Sequence, residues 1–271
     1  MRTLAVAATL SWGVFASGLA AEQELAERLA ETLRVSDVVQ ILHREGLEQG
    51  RQLNANMLGD TGGAYFAAQV ESIYDPDDMV AALTDALAEH MSGVALQETL
   101  DFFGSPVGQR IIALEISARE AYSLPDVQEM AVAQLEDTPE SDSRLKLVRT
   151  FVEANDLVAR NVEGVQAADF SFYRGLSEGG GIPRDDTGYL ATMLEGRDEL
   201  LAETEEWALS FHYMAYKPLT EAEQQANIDF SLSASGQELN DALFDGFERM
   251  YNDIFYQMGR LVARSMATAD L

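Results

Sequence analysis

A serine between two glycines is the first feature of this sequence that could do chemistry. Gly175, Ser177 and Gly179 match the G-x-S-x-G spacing of a nucleophile elbow, a strained turn between a strand and a helix. An α/β sheet must bring a histidine and a carboxylate next to such a serine. Here the motif follows helically spaced residues, and the chain shows no strand alternation. We interpret it as a glycine-rich flexible loop and rank a hydrolase using Ser177 third among the candidate functions.

Clustered carboxylates are the next candidates, because oxygen ligands bind divalent cations. Asp75, Asp77 and Asp78 crowd one turn, and Asp185 and Asp186 form a second, smaller group. A twelve-residue calcium loop needs further oxygen ligands and a glycine at its sixth position, which the first cluster lacks. The sequence therefore predicts weak and nonspecific cation binding at most, and no dedicated metal site.

Histidine and glycine spacing excludes two further kinds of site. His43, His90 and His212 lack the i, i+4 pairing of a helical zinc motif. The glycines at 179–181 are not followed by the Lys-Ser/Thr pair of a phosphate-binding loop. No catalytic residue and no cofactor is therefore predicted, and we expect the protein not to be an enzyme.

A repeated pattern is more informative than any of these motifs. Residues 100–109 and 228–237 share Asp, Phe, Ser, Gly and Gln at the same spacing. We interpret the repeat as one helical corner built twice, in which serine caps a helix, glycine allows close helix approach, and glutamine bonds a loop carbonyl. The corner residues are Phe102, Ser105, Gly108 and Gln109 in the first copy, and Phe230, Ser233, Gly236 and Gln237 in the second.

Apolar residues recur at helical spacing along nearly the whole chain. The strongest stripe runs from Leu239 to Leu261, with an apolar residue every three or four positions. Residues 145–165 read as one long helix, and Thr220 and Glu223 form a capping box. The predicted fold is therefore all-α, a helical bundle of two similar halves. Its segments are a signal peptide (1–20), a first half (21–135), an acidic linker (136–143) and a second half (144–271).

The N-terminus predicts export. Arg2, an apolar run from Leu4 to Leu19, and small residues around Ala20 are typical of a secretory signal peptide cleaved after Ala20; the alternative is an uncleaved anchor. The chain has no cysteine, which excludes both a lipoprotein anchor and disulfides. We expect a periplasmic protein without a stable membrane anchor, or alternatively a secreted one.

The charge of the chain excludes two classes of partner. Its formal net charge is −28 at pH 7, with 18 basic and 46 acidic residues. Nucleic acids and anionic membrane surfaces are bound through Lys/Arg contacts to phosphate, so neither is expected to be a partner. We interpret the charge as a solvated acidic exterior.

The repeated corner also carries a resemblance. The segment Phe102 to Gln109 is similar to the Phe-Phe-x-Ser-Pro-x-Gly-Gln pattern of the exported bacterial family catalogued as domain of unknown function 2059. The second copy departs from that pattern, with Ser231 in place of the second aromatic residue and Ala234 in place of the proline. The resemblance covers residues 36–125 and, more weakly, 146–262. It implies an α-helical periplasmic protein with two tandem copies of the family's domain, the second divergent. The family has no assigned catalytic residues, so none can be transferred to this chain.

Aromatic and methionine stripes supply the remaining functional hypotheses. Most of these residues are expected to pack in the core, but together they could also form an apolar groove between helices. The leading hypothesis is a non-enzymatic protein that binds another protein or peptide; the alternative is a carrier of an apolar small molecule or lipid. The candidate groove residues are Phe211, Met214, Met250, Phe255 and Met258.

Overall fold

The computed structural model describes the backbone of residues 12–269 and the side chains of residues 21–267. The described chain is helical and contains no strand, so the all-α prediction is confirmed. The first helices are α1 (Trp12–Thr32), α2 (Val35–Leu58), α3 (Gly63–Ile73), α4 (Pro76–His90), α5 (Gly93–Phe103), α6 (Pro106–Tyr122) and α7 (Pro125–Glu136). They are followed by α8 (Ser143–Ala154), α9 (Leu157–Glu178), α10 (Asp186–Glu195), α11 (Arg197–Ala215), α12 (Glu221–Ser231) and α13 (Ala234–Ala269).

The predicted signal peptide is described only in part. Residues 1–11 lie outside the described residues, and residues 12–20 belong to the backbone of α1. Beyond the predicted cleavage position, α1 places Ala26, Leu29 and Ala30 in the core. In the described part of the chain, no helix combines the length and the apolar character that crossing a membrane requires.

Short polar side chains set where several helices begin. Ser92 accepts a hydrogen bond from the Ala95 amide at the start of α5, which satisfies one of the donors that a helix N-terminus leaves unpaired. Thr220 and Glu223 form the predicted capping box of α12, with both reciprocal hydrogen bonds present. Thus local sequence signals account for these helix starts.

The prediction of one long helix over residues 145–165 is wrong. The chain breaks between α8 and α9, where Asp156 adopts a left-handed backbone conformation with φ 48°. Arg34 has the same conformation, with φ 57°, between α1 and α2. Few residues other than glycine adopt such backbone angles, so each break depends on contacts made by the surrounding helices.

Two apolar clusters form the core, and they do not follow the two predicted halves. The larger cluster joins buried side chains of α1 to α5 with Leu176 of α9 and a stripe of α13 that includes Met250, Ile254 and Met258. The second cluster joins α6, α7, α8 and α11. Since α13 packs in the core of the first half, segment 144–271 shares its main core with segment 21–135. The predicted linker overlaps the stretch between α7 and α8.

Candidate functional site

The two repeated corners make the same capping hydrogen bonds. Ser105 Oγ accepts from the Gly108 amide at 3.1 Å, and Ser233 Oγ accepts from the Gly236 amide at 3.1 Å. Each serine therefore caps the helix that leaves its corner, α6 in the first half and α13 in the second.

The corner glutamines join three segments in each half. Gln109 Nε2 donates to the backbone oxygen of Phe103 at 2.8 Å and to that of Thr32, at the end of α1, at 3.0 Å. Gln237 Nε2 donates to the corresponding oxygen of Ser231 at 2.6 Å and to that of Ala154, at the end of α8, at 3.2 Å. Each glutamine thus joins its corner to the end of an earlier helix, α1 in the first half and α8 in the second.

The corner glycines have no room for a side chain. A Cβ added at Gly108 would lie 2.3 Å from the backbone oxygen of Phe102, and one added at Gly236 would lie 2.0 Å from that of Phe230. Any larger residue would push the incoming helix away from the outgoing one. The corner glycines therefore allow the incoming and outgoing helices to pack closely.

The two corners also contact each other. The rings of Phe102 and Phe230, which occupy equivalent positions, stack with centroids 4.3 Å apart and planes 4° apart. Arg110 binds Glu223 at the start of α12, and Glu238, at the position equivalent to Arg110, accepts from the Ser92 amide at the start of α5. The two corners therefore contact each other directly, and each also contacts the start of a helix in the other half of the chain.

A cavity of about 320 Å³ lies beside this contact. It is lined by side chains of α2, α5, α6, α8, α9, α11, α12 and α13, so residues from both halves form its walls. Ligand pockets in proteins span roughly 300 to 1,000 Å³ and are mostly apolar with a few polar groups. The apolar lining residues are Val38, Phe103, Ile112, Ile116, Phe151, Leu157, Phe211, Phe230, Leu239 and Leu243.

Glu115 of α6 is the acidic residue in the wall of the cavity. Its Oε1 accepts a hydrogen bond from the Tyr216 hydroxyl, which in turn accepts from Asn227 Nδ2 at 3.2 Å. Burial raises the pKa of Glu115 from 4.5 to about 7, although the hydrogen bond from Tyr216 acts in the opposite direction. The carboxyl group therefore carries a proton in an appreciable fraction of molecules at neutral pH.

His212 of α11 lines the same cavity and is held neutral. Its Nδ1 lies 2.6 Å from the backbone oxygen of Ala208, and its ring contacts Phe151 and Phe211. Burial lowers the pKa of His212 from 6.5 to about 4. The imidazole consequently adds a polar but uncharged surface.

Arg119 is the basic residue of the cavity wall, one helical turn after Glu115. Its Nη2 forms an ion pair at 2.5 Å with Glu45 of α2, and each of these side chains is 34% exposed. This ion pair engages Nη2 and opposes the positive charge of Arg119, while the Arg119 Nε is buried without a hydrogen-bond partner.

The sequence pointed to only part of this site. Phe211 lines the cavity, whereas Met214 packs against the second apolar cluster. Met250 and Met258 lie in the first cluster with Phe255 packed against it, so the five predicted groove residues do not come together. Sequence reasoning placed Tyr216 in the aromatic stripe without a polar role, and it missed Glu115 and Asn227.

A local signal for Glu115 does exist. Ile111 and Ala118 are buried one helical turn before and after it, so a lone acid interrupts an apolar stripe. Asn227 carries no comparable signal, because only the folded chain brings it to the Tyr216 hydroxyl that bonds to Glu115.

Ser177 does not lie in a nucleophile elbow. The residues from Gly175 to Glu178 are the last turn of α9, so the interpretation of this motif as a flexible loop is wrong. The Ser177 Oγ donates to the backbone oxygen of Arg174 at 3.1 Å, as a helical serine commonly does.

The glycines of that motif serve helix packing. A Cβ added at Gly175 would lie 2.1 Å from the backbone oxygen of Tyr256, and one added at Gly259 would lie 2.2 Å from that of Phe172. Helices α9 and α13 therefore cross with their backbones in close approach. The spacing Gly-x-x-x-Gly explains the sequence better than Gly-x-Ser-x-Gly does.

The aspartate clusters form helix N-termini. Asp75 Oδ1 accepts from the amides of Asp77 and Asp78 at 2.9 and 3.3 Å, and Asp185 Oδ1 accepts from the Gly188 amide at 3.0 Å. Asp186 pairs with Arg184. Among the residues that the structure describes, no group of three or more His, Cys, Asp or Glu side chains is arranged to hold a metal ion.

Comparison with known proteins adds one family. Residues 77–135 match the family described as "Uncharacterized protein conserved in bacteria (DUF2059)". The matched segment runs from α4 to α7 and contains the first corner, which supports the resemblance drawn from that corner; the second copy stays a prediction. No curated protein and no solved structure matches the chain.

Proposed function

We propose that this protein is a non-enzymatic periplasmic protein that binds a small, largely apolar molecule in the cavity between its two halves. The cavity carries the proposal, because it combines apolar walls with a compact polar group of Glu115, Tyr216 and Asn227. An apolar chain of the ligand would pack against the apolar walls, and one polar end group would contact the polar group of the cavity. The small-molecule hypothesis is therefore preferred over a protein or peptide partner.

Features of the polar group support binding rather than catalysis. Tyr216 is bonded to Glu115 and Asn227, and His212 is bonded to the backbone of its own helix. Such bonds orient the side chains for recognition, and Ser177 lies on α9 outside the cavity lining.

The proposed location is supported by the N-terminal pattern. A basic residue, a short apolar run and small residues precede Ala21, as in cleaved signal peptides. Cleavage there would leave the core residues Ala26 and Leu29 in the mature chain.

A neutral fluorescent probe tests binding in the cavity. N-phenyl-1-naphthylamine, which brightens in apolar surroundings, is titrated into the purified protein, and we expect saturable binding of one probe per chain. Ile116→Trp fills the cavity from α6 and should weaken probe binding at least tenfold. Leu124→Trp adds the same ring at an exposed position between α6 and α7 and should leave binding unchanged.

Circular dichroism and thermal melting show whether Ile116→Trp folds. If it does not, Leu243→Phe on α13 fills the same cavity from another helix. If both cavity variants fold and bind the probe as the parent does, the probe binds elsewhere and the proposal is wrong.

A protein partner is the second candidate, and α10 favours it. This helix has no buried residue, and it exposes Leu190 and Leu194, one turn apart, at 44% and 70%. A partner's amphipathic helix would cover such a face. A photo-crosslinking amino acid at position 194 should then yield one discrete protein adduct in the periplasm. Equal adducts from the exposed position Val94 would show nonspecific contact.

A further inference from the structure

We propose that the molecule bound in the cavity carries a single ammonium group, which pairs with the Glu115 carboxylate. This inference rests on the proposed function and specifies its ligand as a small apolar amine. Three observations support it: the hydrogen-bonding capacity of Glu115, the charge balance of the cavity wall and the aromatic lining.

The first support is the hydrogen-bonding capacity of Glu115. Within the described side chains, its one hydrogen-bond partner is the Tyr216 hydroxyl, which bonds to Oε1. An ionised carboxylate can accept several hydrogen bonds, so Oε2 is left for a donor in the cavity. An ammonium group supplies such donors together with the opposite charge.

The second support is the charge balance of the wall. Arg119 on α6 is paired with Glu45 on α2 at 2.5 Å, and burial lowers the pKa of His212 on α11 so that it stays neutral. Tyr216, which follows α11 and bonds to Glu115, has a pKa raised well above its ordinary value by burial and is uncharged. The charge left without an ionic partner is that of Glu115, and the net charge of −28 attracts cations and repels carboxylates.

The third support is the aromatic lining. Phe103, Phe151, Phe211 and Phe230 all contribute to the walls. A cation within about 6 Å of a phenyl face is stabilised by the ring quadrupole, and the effect is larger in a desolvated site. An ammonium group on an apolar chain therefore suits this lining better than a hydroxyl or a carboxylate.

Proton linkage provides a distinctive consequence. Burial raises the pKa of Glu115 to about 7, and a bound ammonium group would favour the ionised carboxyl. Binding of an amine should therefore release a proton and become about tenfold tighter between pH 6 and pH 8, since that is the change in the ionised fraction. A neutral ligand would lack this tightening.

Three octyl compounds that share one chain and differ in the head group test the inference. Octylamine, octanol and octanoate are titrated by calorimetry into the full-length mature protein at pH 8 and pH 6, and the cavity probe is displaced in parallel. We expect octylamine to bind at least tenfold tighter than the other two at pH 8. Glu115→Gln should remove this preference, and Glu120→Gln, an exposed position on the same helix, should keep it.

Each result discriminates between the inference and the proposed function. If octanol binds as tightly as octylamine and displaces the probe, the cavity binds ligands but the ammonium inference is overturned. Tightest binding of octanoate would assign the head group to Arg119 and would also overturn it. If neither the probe nor any octyl compound binds, the proposed function itself fails. A wild-type affinity for octylamine that does not change between pH 6 and pH 8 contradicts the pairing with Glu115.

Discussion

The Glu115 carboxyl group should make the free energy of unfolding depend on pH. Burial raises its pKa from 4.5 to about 7, so the folded protein holds the proton that the unfolded chain releases at lower pH. The stabilisation is fully present below pH 4.5 and is lost as the pH rises through 7. Between pH 5 and pH 8 this loss is about 2.5 kcal/mol, because the slope approaches about 1.4 kcal/mol per pH unit only between the two pKa values and falls to zero above pH 7.

His212 opposes this trend in the parent protein. Burial lowers its pKa from 6.5 to about 4, so its contribution is present above pH 6.5 and is lost as the pH falls toward 4. Between pH 8 and pH 5 that loss is about 2 kcal/mol. The contributions of Glu115 and His212 to the free energy of unfolding nearly cancel between pH 5 and pH 8. Measurements on the parent protein alone would therefore reveal neither.

The difference between the parent and Glu115→Gln isolates the carboxyl group. Glutamine keeps the shape and can still accept from Tyr216, but it does not titrate. Urea denaturation followed by circular dichroism at pH 5, 6, 7 and 8 should show the parent losing about 2.5 kcal/mol relative to this variant as the pH rises. The side chain of Glu120 is exposed, so the free energy of unfolding of Glu120→Gln should change with pH as that of the parent does. A difference between the parent and Glu115→Gln that is constant across this range would refute the burial argument.

The repeated corner and the N-terminus provide two further predictions. Gly108→Val and Gly236→Val should each destabilise the fold by about 1–3 kcal/mol through overpacking, and Ser105→Ala and Ser233→Ala by about 1 kcal/mol through a lost cap. Chemical denaturation of the four variants measures this order, and alanine costing more than valine in either copy would contradict the packing role of the glycines. Intact-mass measurement of periplasmic protein should find a chain that begins at Ala21, and full-length chain in the inner membrane would show instead that the segment is an anchor.

Much of the local structure could be predicted from the sequence. Apolar spacing predicts α13, and the short polar residues Ser92, Ser105 and Thr220 each cap the helix that follows them. These features depend on residues within one helical turn of each other, so a single sequence is enough to reveal them.

The break between α8 and α9 could not be predicted in this way. Val148, Val152 and Val158 continue one helical stripe across it, while Asp156 turns the backbone with a positive φ. Two distant side chains stabilise the turn: Gln237 donates to the backbone oxygen of Ala154 and Asn240 to that of Asn155. Contacts made by α13 thus decide where the earlier helix ends.

The sequence by itself determined an acidic, cysteine-free, helical chain with a corner that recurs at the same spacing. Those properties follow from composition and from residues that are neighbours along the chain. Only the tertiary structure decided that the two corners stack through Phe102 and Phe230, and that a cavity forms beside them with Glu115 in its wall. The cavity depends on helices separated by a hundred residues or more, as the bond between Glu115 and Tyr216 illustrates, and their packing is a property of the whole fold.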